Sequence, residues 1–275
     1  MEVPADVQEE APTLAAARGP LAASLRHARG REGDSRPMRK SSSVAILLLA
    51  ALARAEEKKA DRYPTMAPVE QYRMARAQDE IALARSAAPA SISADAEVLV
   101  LGKRGYEVGV KGKNGFVCLV QRSWTAGFED PEFWNPKLRA PDCLNPPAVR
   151  SVLPQYLKRT ESVLAGASKQ QLVEEARSAF ASHSFGPPEP GSFSFMLSRQ
   201  GYLSDDSAGP WLPHVMLFVP HGQAAIWGAG LEGSPVIGSD GSPIEPTVLF
   251  IPVRRWSDGT PAPPPPSLEE HQHKL

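Results

Sequence analysis

Apolar and polar side chains alternate most clearly between residues 98 and 120, with the two-residue period of β-strands. The apolar positions form three short runs: Val98 and Val100; Tyr106, Val108 and Val110; Phe116, Cys118 and Val120. Glycine-containing segments 102–105 and 112–115 separate the runs. The second segment ends in Asn-Gly, a pair typical of two-residue hairpin turns because both positions require positive φ. The pattern predicts a three-stranded antiparallel meander.

Helical periodicity appears on both sides of this region. A helix is expected to begin at the cap Asn145 and to end at Gly166, with Pro154 kinking or splitting it. The capping box Ser168–Gln171 starts the next helix. An earlier, alanine-rich helix is predicted over about 65–88.

Further strands are predicted from alternation over 193–197 and from continuous apolar runs over 214–219 and 247–251. Strands and helices occur in groups and do not alternate strictly. We therefore predict an α+β fold. It would have an antiparallel sheet of about five to six strands, starting with the meander, and two or three helices packed mainly on one face.

The amino-terminal segment has the pattern of an export signal. Met38 starts a basic stretch, ten apolar residues follow, and Ala53-Arg54-Ala55 matches a cleavage site. The apolar run is too short to cross a bilayer as a helix, so we expect no membrane span after cleavage. A periplasmic or secreted location is predicted.

These boundaries divide the chain into five parts. Residues 1–37 are interpreted as a disordered or mis-assigned upstream extension, and 38–55 as the signal peptide. Residues 56–95 are expected to be a linker with the first helix, 96–258 a single α+β domain, and 259–275 a disordered proline-rich tail.

Composition narrows the function classes. A net charge of −1, with basic residues scattered along the chain, gives no basis for nucleic-acid binding. Two cysteines are too few for a disulfide scaffold or a cysteine-rich zinc site, and no cofactor is expected. The 28 prolines indicate irregular connections.

Cys118 and Cys143 admit three interpretations. Cys118 could be a nucleophile with His214 or His221 as its base, or both thiols could be inert core side chains. Export to an oxidising compartment favours the third, a disulfide.

A rival, enzymatic interpretation rests on histidine and aspartate. His214 and His221, with Asp205 or Asp206, have the side chains of a hydrolase or metal site, but their spacing is not that of known ligand motifs. Residues 228–233 match G-x-G-x-x-G, yet Ser234-Pro235 follows where nucleotide binding needs a helix, so a loop is predicted.

Aromatic and acidic residues are interleaved between positions 124 and 134. They suggest a ligand-binding loop, in which rings stack on a ligand and a carboxylate orients it: Trp124, Phe128, Glu129, Phe133 and Trp134. The alternative is that the rings anchor an irregular loop to the core.

Four segments resemble a group of uncharacterised exported proteins from soil and environmental bacteria. They are NGFVCLVQRSW, FEDPEFWNP, WLPHVMLFVP and VRRWSDGT, and the resemblance covers residues 97–260. It implies export and a shared domain, but no activity. Because the core pattern is not accompanied by a convincing catalytic constellation, we expect a non-enzymatic domain that binds a small ligand or an envelope protein. The alternative is a small exported hydrolase or metalloenzyme that uses His214, His221 and Asp205 or Asp206.

Overall fold

An open, mixed sheet of eight strands forms the centre of the fold in residues 62–205 and 211–263, the parts of the chain that this computed structural model describes. Its strands are β1 (Glu97–Leu101), β2 (Tyr106–Val110), β3 (Val117–Gln121), β4 (Ala140–Leu144), β5 (Phe193–Met196), β6 (His214–Val219), β7 (Ile237–Ser239) and β8 (Thr247–Pro252). Their order across the sheet is β2-β1-β3-β4-β5-β6-β8-β7.

Five α-helices accompany the sheet in the described residues. They are α1 (Ala77–Arg85), α2 (Ala90–Ser93), α3 (Pro146–Ser151), α4 (Leu153–Leu164) and α5 (Lys169–Ala181). No helix in these residues has the length and hydropathy needed to cross a membrane. The predicted extension 1–37, the signal segment 38–55, Asp206 and the tail beyond 263 lie outside the described residues.

The α+β class is confirmed, but the sheet is larger than predicted and is not purely antiparallel. Strands β1 and β2 form the expected hairpin, whereas β3 pairs with β1, in parallel, and not with β2. The Asn114 side chain explains the difference: its Nδ2 donates to Ile92 O at 2.8 Å, and Lys113 N donates to Asp95 O at 2.9 Å. These bonds tie the turn to the segment before β1, so the chain passes to the other side of β1.

Two of the eight strands, β4 and β7, were not predicted from the sequence. Strand β4 lies in the middle of the sheet although it contains Pro141, a residue whose missing N–H usually excludes it from central strands. Its ladder to β5 involves only Cys143 and Leu144, so Pro141 pairs with β3 alone, and a missing N–H on the other side costs no ladder bond. Strand β7 is only three residues long and shows no period in the sequence.

Helices cover both faces of the central strands, not mainly one. Side chains of α1 pack in one cluster with Val98, Cys118 and Val120. Side chains of α3 and α4 pack in another with Leu99 and Leu119, which point the opposite way from the same strands. Strands β3 and β4 are therefore buried along their whole length.

The local helix signals are confirmed where they are strongest. The Asn145 side chain accepts from Ala148 N, and Ser168 and Gln171 form a complete capping box. The predicted break near Pro154 divides α3 from α4 at Val152. The alanine-rich helix is shorter than predicted, since a 3₁₀ turn at Val69–Tyr72 precedes it.

The two cysteines lie at disulfide distance. Cys118 on β3 stands directly opposite Cys143 on β4, with their sulfur atoms 2.00 Å apart. Both side chains are fully buried beneath α1. The pair thus joins two neighbouring strands at the centre of the sheet.

Candidate binding site

The aromatic rings of the candidate loop point into the protein. Trp124 is fully buried, and Phe128, Phe133 and Trp134 are at most 6% exposed. Phe133 and Trp134 meet edge to face, with ring centroids 4.7 Å apart. Of the five residues singled out, Glu129 is the one that faces solvent. The ring faces are therefore occupied by protein contacts.

Polar contacts hold this loop against the helices. The Trp124 indole N–H donates to Thr160 Oγ1 on α4 at 3.0 Å, and the Tyr72 hydroxyl donates to Trp134 O at 2.8 Å. The Arg159 guanidinium lies 4.0 Å above the Phe128 ring. The loop therefore supports α4 through these contacts and packs against α5.

An open groove runs between α4 and α5, next to this support. Its volume is about 870 Å³, within the range of small-molecule sites. Side chains of α5, of the turn that follows it and of one loop residue give it an apolar lining: Leu172, Ala176, Ala179, Phe180, Phe185 and Ile244. Leu172 and Ile244 also contact the aromatic cluster, so the floor of the groove continues into the core.

Charged side chains surround the apolar lining. Lys158, Glu174 and Glu175 lie at the rim and are exposed. Arg159 is largely buried and pairs with Glu245, with an Nη2–Oε1 distance of 3.2 Å, while its Nη1 donates to Ala126 O at 2.9 Å. The groove thus combines an apolar floor with polar groups of both signs at its edge.

Sequence periodicity indicated the apolar face of α5 but not its exposure. Leu172 is buried, whereas Val173, Ala176 and Phe180 are only half-buried. Phe180 meets Phe185 edge to face beyond the end of the helix, at 6.2 Å between centroids. The two phenylalanines at this end of the helix were the sequence signal for apolar surface that is not buried in the core.

The histidines of the enzymatic interpretation do not come together. His214 begins β6, and His221 follows the end of the same strand, roughly 20 Å away along an extended chain. The His214 ring packs edge to face on Trp211 and Phe250, and its Nδ1 contacts Leu212 O at 2.8 Å. Burial lowers the pKa of His214, so its ring is neutral at pH 7.

His221 and Asp205 have separate surroundings. His221 is exposed, and its Nδ1 lies 3.0 Å from Asp240 O. Asp205 accepts hydrogen bonds from the hydroxyls of Tyr63 and Tyr202 and from Lys137 Nζ, the last at 3.3 Å. The Tyr63 hydroxyl and the Lys137 ammonium hold the pKa of Asp205 below the usual value. Asp205 therefore ties three segments together.

A buried carboxyl group that no sequence pattern singled out lies beneath α4. Asp142 on β4 is fully buried, and its Oδ2 accepts from Gln121 Nε2. Its Oδ1 finds no hydrogen bond among the described residues, although the buried Ser194 hydroxyl is close enough to lower the pKa slightly. Desolvation dominates and raises the pKa of Asp142 to about 7.

A buried ion pair lies on the other side of the sheet. Arg122 and Glu80 are 0% and 3% exposed, and their Nη2–Oε1 distance is 2.8 Å. Arg122 also donates to the carbonyls of Tyr72 and Val120, and Glu80 accepts from Leu101 N. Because both charges have several partners, this pair is a structural link between α1 and β3.

Metal and family comparisons add no assignment. The described residues contain no group of three or more histidine, cysteine, aspartate or glutamate side chains arranged to hold a metal ion. No family model, curated protein or solved structure matches the chain.

Proposed function

We propose that this protein is an exported, non-enzymatic binding protein, and that the groove between α4 and α5 holds a small, largely apolar ligand. The observation that carries the proposal is the groove of about 870 Å³ with its half-exposed apolar floor. Export rests on the signal pattern at 38–55 and on the resemblance to exported bacterial proteins.

The lining sets the chemistry of the ligand. Leu172, Phe180 and Ile244 offer apolar surface that water solvates poorly, so an apolar body gains free energy by covering it. Lys158 and Glu175 at the rim can orient one polar end of such a molecule. The groove is open to solvent and therefore suits a molecule that keeps one side in water.

Two features favour binding over catalysis. His214 and His221 stand at opposite ends of β6, and Asp205 is held by tyrosine and lysine donors. In contrast, the groove needs no reactive group, because its shape and apolar lining suffice for affinity.

Filling the groove tests the proposal. Ala179→Trp places an indole in the apolar lining, whereas Ala82→Trp adds the same ring to the exposed side of α1 and is the matched control. Binding of the neutral apolar dye N-phenyl-1-naphthylamine is measured by fluorescence titration. We expect about tenfold weaker binding for Ala179→Trp, equivalent to about 1.4 kcal/mol, and wild-type binding for the control.

Equal dye binding by wild type and Ala179→Trp, with both proteins folded by circular dichroism, would refute the groove as the site. Native mass spectrometry of protein purified from the periplasm or medium then identifies the natural ligand. A co-purifying molecule that Ala179→Trp loses and Ala82→Trp retains is the expected result.

A further inference from the structure

Exposed apolar side chains are concentrated in one segment whose residues do not line the groove. Of the six large hydrophobic residues that are exposed in the described chain, four lie between 226 and 237. They are Ile226 at 80%, Leu231 at 65%, Ile237 at 50% and Trp227 at 45%. Large apolar groups gathered at a protein surface are typical of interaction sites.

This apolar segment, residues 226–237, is held in a defined conformation. Gly228 ends a 3₁₀ turn at φ +67°, Ala229 N donates to Ala224 O at 3.1 Å, and Gly230 N donates to Val236 O at 3.2 Å. Gly233 also has positive φ, and strand β7 follows where nucleotide binding would need a helix. The glycines of the G-x-G-x-x-G sequence therefore fold the loop back on itself.

Contacts with the sheet hold the segment in place. Asp240 Oδ1 accepts from Ala224 N at 2.8 Å and from Thr247 Oγ1 at 2.7 Å. Ala224, Val219 and Leu249 form a small buried cluster below. Because the backbone is held in this way, binding costs little additional backbone entropy at Ile226 and Trp227.

The charge of the surrounding chain indicates the partner. From Trp211 to Pro252 there is no lysine or arginine, whereas Glu232, Asp240 and Glu245 are present. Glu245 is neutralised by Arg159, which leaves Glu232 and Asp240 beside the apolar side chains. A complementary surface would have an apolar centre and a basic rim.

Three other occupants fit less well. In a symmetric dimer through this segment, Glu232 would face its own copy, and residues 211–252 would supply no basic partner. An anionic membrane would repel the same carboxylates. Strand addition would have to use β7, which is three residues long and includes Gly238 at φ +151°.

We propose that the apolar segment 226–237 docks on an apolar surface, rimmed by lysine or arginine, of a partner protein. Ile226 and Trp227 cover the apolar centre, and Glu232 and Asp240 pair with the rim. This surface is distinct from the groove between α4 and α5, so each can fail without the other.

Synthetic amphipathic helices of leucine and lysine serve as the probe, with the leucine and glutamate counterpart as its charge control. Titration calorimetry compares wild type with Ile226→Ser/Trp227→Ser and with Val108→Ser, which removes an exposed apolar side chain at the other sheet edge. We expect binding of the lysine peptide to weaken about tenfold in the double variant and to be unchanged in Val108→Ser. Glu232→Lys should weaken it several-fold, and added salt should do the same.

Four outcomes would overturn the proposal. The lysine peptide binds no better than the glutamate peptide, or it binds the double variant as well as wild type. Alternatively, phosphatidylcholine vesicles bind wild type and not the double variant, which would indicate a membrane surface. Finally, sedimentation shows a dimer of wild type that the double variant lacks. Ala179→Trp, the groove variant, should bind the lysine peptide normally.

Discussion

At the scale of single residues, burial makes the carboxyl group of Asp142 a weaker acid. It is fully buried between β3 and β5, with Gln121 as its hydrogen-bond donor. Ionising it in the folded protein is unfavourable because burial removes the water that stabilises a carboxylate. The rise of its pKa from 3.8 to about 7 corresponds to a cost on the order of 4 kcal/mol.

This cost makes stability depend on pH. The folded-state pKa of Asp142 lies above the unfolded value, so the folded protein binds more protons between about pH 4 and pH 7. Its contribution to the free energy of unfolding is therefore complete below pH 4 and is lost as the pH rises through 7. Asp142→Asn should be more stable than wild type at pH 8 by a few kcal/mol and equal to it near pH 4.

Urea denaturation at several pH values measures this difference. Comparing variant with wild type cancels other titrating groups, among them His214, whose lowered pKa acts in the opposite direction. Parallel stability curves for the two proteins across this range would contradict the prediction.

At the scale of elements, the Arg122–Glu80 pair joins α1 to β3. The helix also contributes Ile81 and Ala84 to the core on its side of the sheet. Sequence periodicity identified the helix, but its polar residue Glu80 gave no sign of burial. Only the return of β3 beneath α1 brings the guanidinium to the carboxylate.

Breaking this pair should be costly, because it leaves one buried charge without its partner. We expect Arg122→Met to lower the free energy of unfolding by about 3–5 kcal/mol. The double variant Arg122→Met/Glu80→Leu should lose less than the sum of the two single variants, since it removes both charges. Chemical denaturation of all four proteins gives the coupling energy, and strictly additive losses would show that the pair does not act as a unit.

At the scale of the whole molecule, the proposed function depends on export, which the pattern at residues 38–55 predicts. The oxidising compartment that export implies also suits the Cys118–Cys143 pair at disulfide distance. A bridge between residues 25 apart would add about 3.5 kcal/mol by restricting the unfolded chain. Export, the disulfide and a binding role are consistent with one another.

We expect the exported protein to begin at Glu56. Expression in a bacterial host from Met38, followed by mass spectrometry of the periplasmic fraction, measures the new terminus. Ala55→Arg should block cleavage and retain residues 38–55, because the cleavage site requires a small residue there. Ala60→Arg lies beyond the site and is the control. A mature protein beginning far from residue 56, or normal cleavage of Ala55→Arg, would be inconsistent with the signal.

The local elements and the class of fold could be predicted from the sequence. Asn145, Pro154 and the Ser168–Gln171 box act through bonds and clashes within a few residues, so their effects could be predicted without the rest of the chain. Alternation over 98–120 predicted three strands because a period of two residues is visible within a few residues of the sequence.

In contrast, the pairing of the strands and the exposure of each surface depend on contacts between distant parts of the chain. The Asn-Gly turn does not form a hairpin, because it is hydrogen-bonded to the segment before β1. Pro141 is tolerated because the ladder between β4 and β5 begins only at Cys143. The burial of the aromatic loop and the exposure of the α4–α5 groove likewise depend on packing between distant segments. Such contacts follow from how the whole chain fills space, which a local pattern of side chains does not specify.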